Sequence, residues 1–282
     1  MHSQCGEDGL IEAIIDRLSE TDGWCVEFGA WDGVHLSNTR HLIESRSYRA
    51  VLIEADPEKC VDLRREYVDH PGVHPVEAFV GFTRADGLDA ILPPYDVPDD
   101  FDLLSIDIDG NDYHCWAAVS AYRPKIVCIE FNPTIPTEVD FVQPAEGSVR
   151  LGASLAALVR LGSTKGYQLA AVTLVNAIFV RDDLFDALGI TDNSPHLLRS
   201  DTSLVTYVFS GYDGSLHVTG NGWLPWHSLP MKRPRNTLPA PLRAFPGDYG
   251  PGRRLLWAAF QVVRYPRLTL RRVRKHGLPR ST

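Results

Sequence analysis

The chain has 282 residues, 44% of them hydrophobic, enough to bury one large α/β domain with additions or two smaller ones. Its formal net charge is −8, yet all 36 acidic and 19 of the 28 basic residues lie in residues 1–248, and the last 34 residues carry nine basic residues and no acid. The acidic body opposes nucleic acid, no apolar run approaches the ~20 residues of a membrane span, and five scattered cysteines (Cys5, Cys25, Cys60, Cys115, Cys128) without CxxC spacing argue against a disulfide framework and a zinc knuckle. The opening MHSQCGEDGL lacks the basic and apolar regions of a signal peptide, so a cytoplasmic protein is expected.

Leu10, Ile11, Ile14, Ile15 and Leu18 fall at helical spacing and predict a helix within residues 3–18, capped by Ser3 or Asp8. Residues 24–33, WCVEFGAWDG, read as a buried strand running into a glycine-lined turn. Gly29 and Gly33 are expected to let a ligand approach the backbone. The spacing of Glu27, Gly29 and Gly33 is not the GxGxxG of a dinucleotide fold, and a carboxylate in the turn suits a ligand with a cationic end better than a phosphate. LSNTRHLIESR reads as the next helix, capped by Ser37 or Asn38. Ala50 to Ile53 forms a second strand ending in Glu54 and Asp56, where an acid is placed to bind ribose hydroxyls.

A helix over 57–68, a strand over 73–80, a helix over 85–92 and a strand over 101–108 follow. Asn111 or Asp112 caps a helix ending near Tyr122, and 125–131 is the fifth strand. A helix from Ser154 to Lys165 then leads into strands over 167–172 and 176–180, compatible with an antiparallel hairpin. Two more strands flank GYDGS, and 221–251 reads as an ordered loop. The last helix, Arg253 to Tyr265, sets Leu256, Ala259, Phe260 and Val263 on one face ahead of the cationic RLTLRRVRKH. Alternating strands and helices imply parallel βαβ units that bind ligands at the carboxyl ends of the strands. Glu27, Glu54, Asp107 and Glu130 gather there, and four carboxylates on one edge are costly unless a cation or a hydrogen-bonding ligand sits among them.

The segments SQCGEDGLI, VEFGAWDGVHLSNT, VLIEADPEKCVDL, LLSIDIDGNDY, IVCIEFNP and NAIFVRDDL together resemble the FkbM-like branch of class I methyltransferases, over roughly residues 3–186. The resemblance implies an α/β fold: a Rossmann-like, mostly parallel seven-stranded sheet with helices on both faces, extended here by a C-terminal β-hairpin and loop. The expected organisation is a cofactor-binding core at 1–186, to which the resemblance applies, then, from composition and patterning, an extension packing on that core at 187–252 and a basic amphipathic tail at 253–282. The implied cofactor is S-adenosyl-L-methionine, with Glu27, Gly29 and Gly33 at its methionine end, Glu54 at its ribose and Asp107 or Asp109 near its amino group. Gln4 and Asn38 are further candidates.

IDIDGNDY also resembles the DADKDNY stretch of cation-dependent O-methyltransferases, which implies a metal on Asp107, with hard oxygen ligands suiting magnesium. Those enzymes have adjacent Asp and Asn on the fifth strand, whereas Phe131 separates Glu130 from Asn132 here; alternate strand residues point the same way, so both reach the ion. His114 and His35, each just past a strand end, are the candidate bases, and His217 and His227 lie in the extension. The expected reaction is O-methylation of a hydroxyl on a glycan or glycosylated small molecule. The rivals are a metal-dependent glycosyltransferase using Asp107 and Asp109 as a DxD pair and a non-catalytic cofactor-binding module. The tail is expected either to dock on the acidic body or to touch the inner membrane face.

Overall fold

The computed structural model describes residues 2–231 and 237–267. The chain divides into two compact units, 1–205 and 206–282, a boundary later than the expected 186. The first unit runs α1 (Glu7–Ile15), β1 (Trp24–Phe28), α2 (Arg40–Arg46), β2 (Arg49–Glu54), α3 (Pro57–Glu66), β3 (Val73–Glu77), α4 (Leu88–Ile91), β4 (Leu103–Ile106), α5 (Asp112–Ala118) and β5 (Ile126–Glu130). It continues with α6 (Leu155–Lys165), β6 (Tyr167–Val172), β7 (Asn176–Arg181), α7 (Asp182–Phe185) and α8 (Pro195–Leu198). All seven strands form one sheet in the order β3-β2-β1-β4-β5-β7-β6. Strands β1 to β5 are mutually parallel, and β7 enters antiparallel to both β5 and β6. This is the Rossmann-like sheet that the class I methyltransferase resemblance implies.

Strand alternation builds two cores. Val26, Phe28, Leu104, Ile106, Val127, Ile129 and Phe179 face one side, where Leu88, Trp116, Leu155 and Leu158 cover them. Cys25, Leu52, Leu103, Ile126, Cys128 and Ile178 face the other, under Ile11, Ile14, Leu42 and Leu63. Every residue of β1 is buried, as a central parallel strand covered on both faces requires. Trp116 fills the first core, its ring 5.1 Å from Phe179 and 5.8 Å from Tyr167.

Several elements are shorter than expected, for local reasons. At the start of α1 the N-cap is Gly6, because the Ser3 hydroxyl donates to Asp8 at 2.8 Å and both side chains are thereby spent. Ahead of α2 the N-cap is Thr39, since Ser37 and Asn38 serve Glu27 instead. Asp56 caps α3 by accepting from Glu58 and Lys59, with Pro57 at the first position, where its missing N–H costs nothing.

The second unit holds the hairpin β8 (Thr206–Ser210) and β9 (Leu216–Gly220), a second short hairpin of β10 (Trp223–Leu224) and β11 (Leu229–Pro230), and α9 (Pro251–Arg264). The stretch expected as a loop over 221–251 thus contains the second hairpin and short 3-10 turns. The cationic run beyond Arg267 lies outside the described residues. Among the described residues no helix is long and apolar enough to cross a membrane.

A buried charge cluster fixes the amino-terminal edge of the sheet. Asp102, fully buried before β4, accepts from the backbone N–H groups of Asp22 and Gly23 and pairs with Lys125 at 2.8 Å. Lys125 also bonds Asp22, so the entries to β1, β4 and β5 are joined by one ammonium. Removing one partner of such a group leaves an uncompensated buried charge. Lys125→Met should therefore lower the unfolding free energy by ~3–5 kcal/mol in urea titration. Arg65→Ala, which breaks an exposed pair with Asp62, should change it by less than ~1 kcal/mol. Equal effects would contradict this account.

Candidate active site at the carboxyl edge of the sheet

The glycine turn after β1 is closed on the protein itself. Gly29 and Ala30 donate to Ile53 O at 3.1 Å, so the turn folds against the end of β2. Gly29 has φ +79°, and a Cβ there would lie 1.6 Å from the Asp107 carbonyl oxygen. Its missing side chain makes room for the β4 backbone, a requirement the expectation of ligand approach did not include. Gly33, at φ +74°, is likewise pressed by Leu63 and Tyr67 of the α3 region, and the Tyr67 hydroxyl donates to Gly33 O at 2.9 Å.

Glu27 is also committed internally. Its carboxylate accepts from the Ser37 and Thr39 hydroxyls, each at 2.7 Å, and from Asn38 N at 2.9 Å. Burial pushes this carboxyl up, and the bonds from Thr39, Asn38 and Ser37 hold it back. Glu27 thus shapes the loop following the glycine turn. Within that loop Asn38 donates to Ser105 Oγ at 3.1 Å, while its own Oδ1 is buried with no hydrogen-bond partner. An orphaned buried acceptor of this kind is open to an N–H or O–H donor from a ligand.

The amino-terminal segment closes over the same edge. Ser3 bridges to Leu36, while Glu7, fully buried, accepts from Thr173 and Asn176 at the β6–β7 turn. Gln4 is carried between these two anchors and is exposed. Glu54, at the end of β2, is nearly buried and accepts from Trp31 N at 2.8 Å and Asp56 N at 2.7 Å, one bond on each oxygen. Each oxygen keeps a lone pair for a further donor.

Asp107, Asp109 and Glu130 bring one carboxylate oxygen each to within 4.8 Å of the others. The turn that presents the first two is wound around Asp112, whose buried carboxylate accepts from Ile108 N and Gly110 N, both at 2.8 Å. Asp109 sits at φ 55°, a left-handed conformation that Asp tolerates better than most residues. Burial, then the charges of Asp112, Asp109 and Glu27, push Asp107 up to about 7, and burial followed by the charge of Asp107 raises Glu130 well above the usual range. Carboxyls this close repel one another when all are charged, which favours a proton or a cation among them. Part of each residue's surface stays open to solvent, the access a ligand needs.

Asn132 and His114 both have partners within the protein. Asn132 spends its Oδ1 on the backbone and hydroxyl of Thr134 and its Nδ2 on Leu151 O, so Asp109 takes its place beside Asp107 and Glu130. His114 Nε2 bonds Gln143 O at 2.9 Å, which commits that nitrogen. His35 is exposed on the loop after the glycine turn. The sequence reading missed Gln143, which is buried and clamps residues 143–152 over the β4–α5 turn through Asn111, Val149, Leu151 and Gly152. Its partners lie 6 to 32 residues away, beyond the reach of any local periodicity.

No family model and no curated protein matches the chain. Among solved structures, it is similar to the citrinin polyketide synthase CMeT domain at 12% identity and a TM-score of 0.41, over 62% of this chain and 51% of that one, about half its length. The CcbJ methyltransferase from Streptomyces caelestis matches at 11% identity and a TM-score of 0.39, over 64% of this chain and 90% of that one. The N-terminal domain of EvdMO1, solved with SAH and D-fucose, matches at 8% identity and a TM-score of 0.39, over 62% of this chain and 82% of that one.

The raised carboxyls dictate a pH dependence. A group whose folded pKa lies above its ordinary value stabilises fully below that ordinary value and loses the contribution as pH rises through the folded one. For Asp107 the window runs from 3.8 to about 7. With chelator present, thermal unfolding should show lower stability at about pH 8 than at about pH 5. Glu130→Gln should flatten that slope, and a slope as steep as in the parent protein would show that the cluster is not its source.

Proposed function

We propose that the protein is an S-adenosylmethionine-dependent methyltransferase of the FkbM-like type that methylates a hydroxyl on a glycan or glycosylated small molecule with the help of a divalent cation, magnesium. The observation carrying this reading is one sheet edge that combines a ribose-type acid, Glu54, with the carboxylate cluster of Asp107, Asp109 and Glu130. The cofactor supplies an electrophilic methyl group, and a cation supplies the charge that lowers an acceptor hydroxyl's pKa.

The chain's own residues then have separable tasks. Glu54 keeps a lone pair on each oxygen, which suits the two hydroxyls of a ribose. Asn38 offers its unpartnered Oδ1 to a cationic amine, a donor its buried position otherwise lacks. The donor set of the cluster, three hard carboxylates, fits magnesium or manganese better than a soft metal. The segment clamped by Gln143 covers the β4–α5 turn and would hold an acceptor in line, where orientation alone can contribute ~7–11 kcal/mol to lowering the barrier. His35, exposed on the loop after the glycine turn, and His114, whose Nε2 donates to a carbonyl and whose Nδ1 is then the basic nitrogen, are the candidates to take the hydroxyl proton.

Glu54→Ala should weaken S-adenosylmethionine binding by about ten-fold or more in calorimetric titration, the loss of charge-assisted bonds of ~1.5–3 kcal/mol. An unchanged dissociation constant, or binding of a UDP-sugar in place of S-adenosylmethionine, would overturn the reading. Methyl transfer to hydroxylated acceptors, followed by product mass, should stop on chelation and return with magnesium or manganese. Full activity after rigorous chelation would remove the cation from the proposal and leave proton removal to side chains alone.

A further inference from the structure

We infer that α9 is a membrane-surface helix, built to lie on an anionic lipid bilayer. It is 14 residues long and none of its residues is buried. Leu255, Leu256, Ala259, Val262 and Val263 recur at i, i+1, i+4, i+7 and i+8, which places them on one stripe. The four large ones are exposed by 75%, 45%, 57% and 82% respectively. Phe260, which the sequence reading put with Leu256, Ala259 and Val263, has aromatic partners. Trp257 stacks on Phe260 at 6.2 Å and meets Tyr249 at 6.5 Å, while Phe260 meets Tyr265 at 5.9 Å. The aromatic side thus fastens the helix to its own unit, where Tyr249 and Leu242 are buried. The aliphatic stripe is left outward, with no aromatic of the helix among its members.

Charge selects the occupant. Arg253 and Arg254 stand at one end of the helix and Arg264 and Arg267 at the other, and residues 249–282 contain no acid. An aliphatic stripe between cationic ends matches a surface that has apolar depth beneath negative headgroups. A second copy of the helix would bring arginines against arginines, and an acidic protein surface would satisfy the cations without burying the leucines and valines. An anionic bilayer answers both features at once.

The test is co-sedimentation of the full chain with vesicles of phosphatidylcholine and phosphatidylglycerol in equal parts, against pure phosphatidylcholine. Partitioning should be about ten-fold or more stronger on the anionic vesicles and should fall as salt is raised. Leu255→Asp with Val263→Asp should release the protein, and tryptophan fluorescence unchanged from the parent would show that the fold is intact, as expected at such exposed positions. Arg264→Glu with Arg267→Glu should abolish the preference for anionic lipid. Failure of the full chain to sediment, equal binding to neutral vesicles, or binding unaffected by both pairs of substitutions would overturn the inference. So would self-association in sedimentation velocity that Leu255→Asp dissolves, which would assign the stripe to a second copy.

Discussion

The constraint on which the molecule turns is the meeting of Asp107 and Glu130 at the ends of neighbouring strands, with Asp109 beside them. Asp112 and Glu27 add further negative charge nearby, and the Arg150 guanidinium donates to the backbone carbonyl oxygens of Ile108 and Asp109 in the same turn. Such a cluster is tolerated in two ways: by retaining protons, as the raised carboxyls do, or by admitting a cation. A sheet edge that stored this repulsion with no ligand to relieve it would be a standing cost to the fold. That is why the cluster, rather than the glycine turn, carries the functional reading.

The rest of the edge shows the opposite treatment of charge. Glu27 is enclosed by two hydroxyls and an amide, Glu54 by two backbone N–H groups, and Glu7 by Thr173, Asn176 and Cys5. These three acids hold loops in place: the loop after β1, the turn after β2 and the amino-terminal segment. On the far edge of the sheet Lys125 compensates Asp102 directly. Repulsion is therefore confined to one spot, presented by a rigid turn around Asp112 and covered by a segment that Gln143 clamps. Confinement of this kind is what a preorganised site requires.

The succession of strands and helices and the identity of the edge carboxylates were legible in the sequence, because period-2 and 3.6 patterns report directly on burial, and the seven-stranded sheet with helices on both faces was what the family resemblance implied. What each edge residue does was less so. Spacing cannot tell a glycine that admits a ligand from one that admits a carbonyl, and the packing of Gly29 on Asp107 O was not legible. Nor can it tell an acid that faces a ligand from one that faces its own loop, as Glu27 does. Asn132 was placed by strand alternation, yet the chain leaves the strand at Glu130 and turns the amide toward Thr134 and Leu151. The stacking of Phe260 on Trp257 was likewise invisible to spacing, since apolar residues occupy both sides of α9.

The central claim is that the Asp107, Asp109 and Glu130 carboxylates bind a cation next to a cofactor held at Glu54. Crystals grown with S-adenosylhomocysteine and manganese, measured at the manganese absorption edge, test it most directly. The account predicts one anomalous peak ligated by those three carboxylates, with the ribose of the cofactor hydrogen-bonded to Glu54. Cofactor bound at Glu54 with no anomalous peak at the cluster would contradict the metal site, and cofactor elsewhere on the protein would contradict the account as a whole.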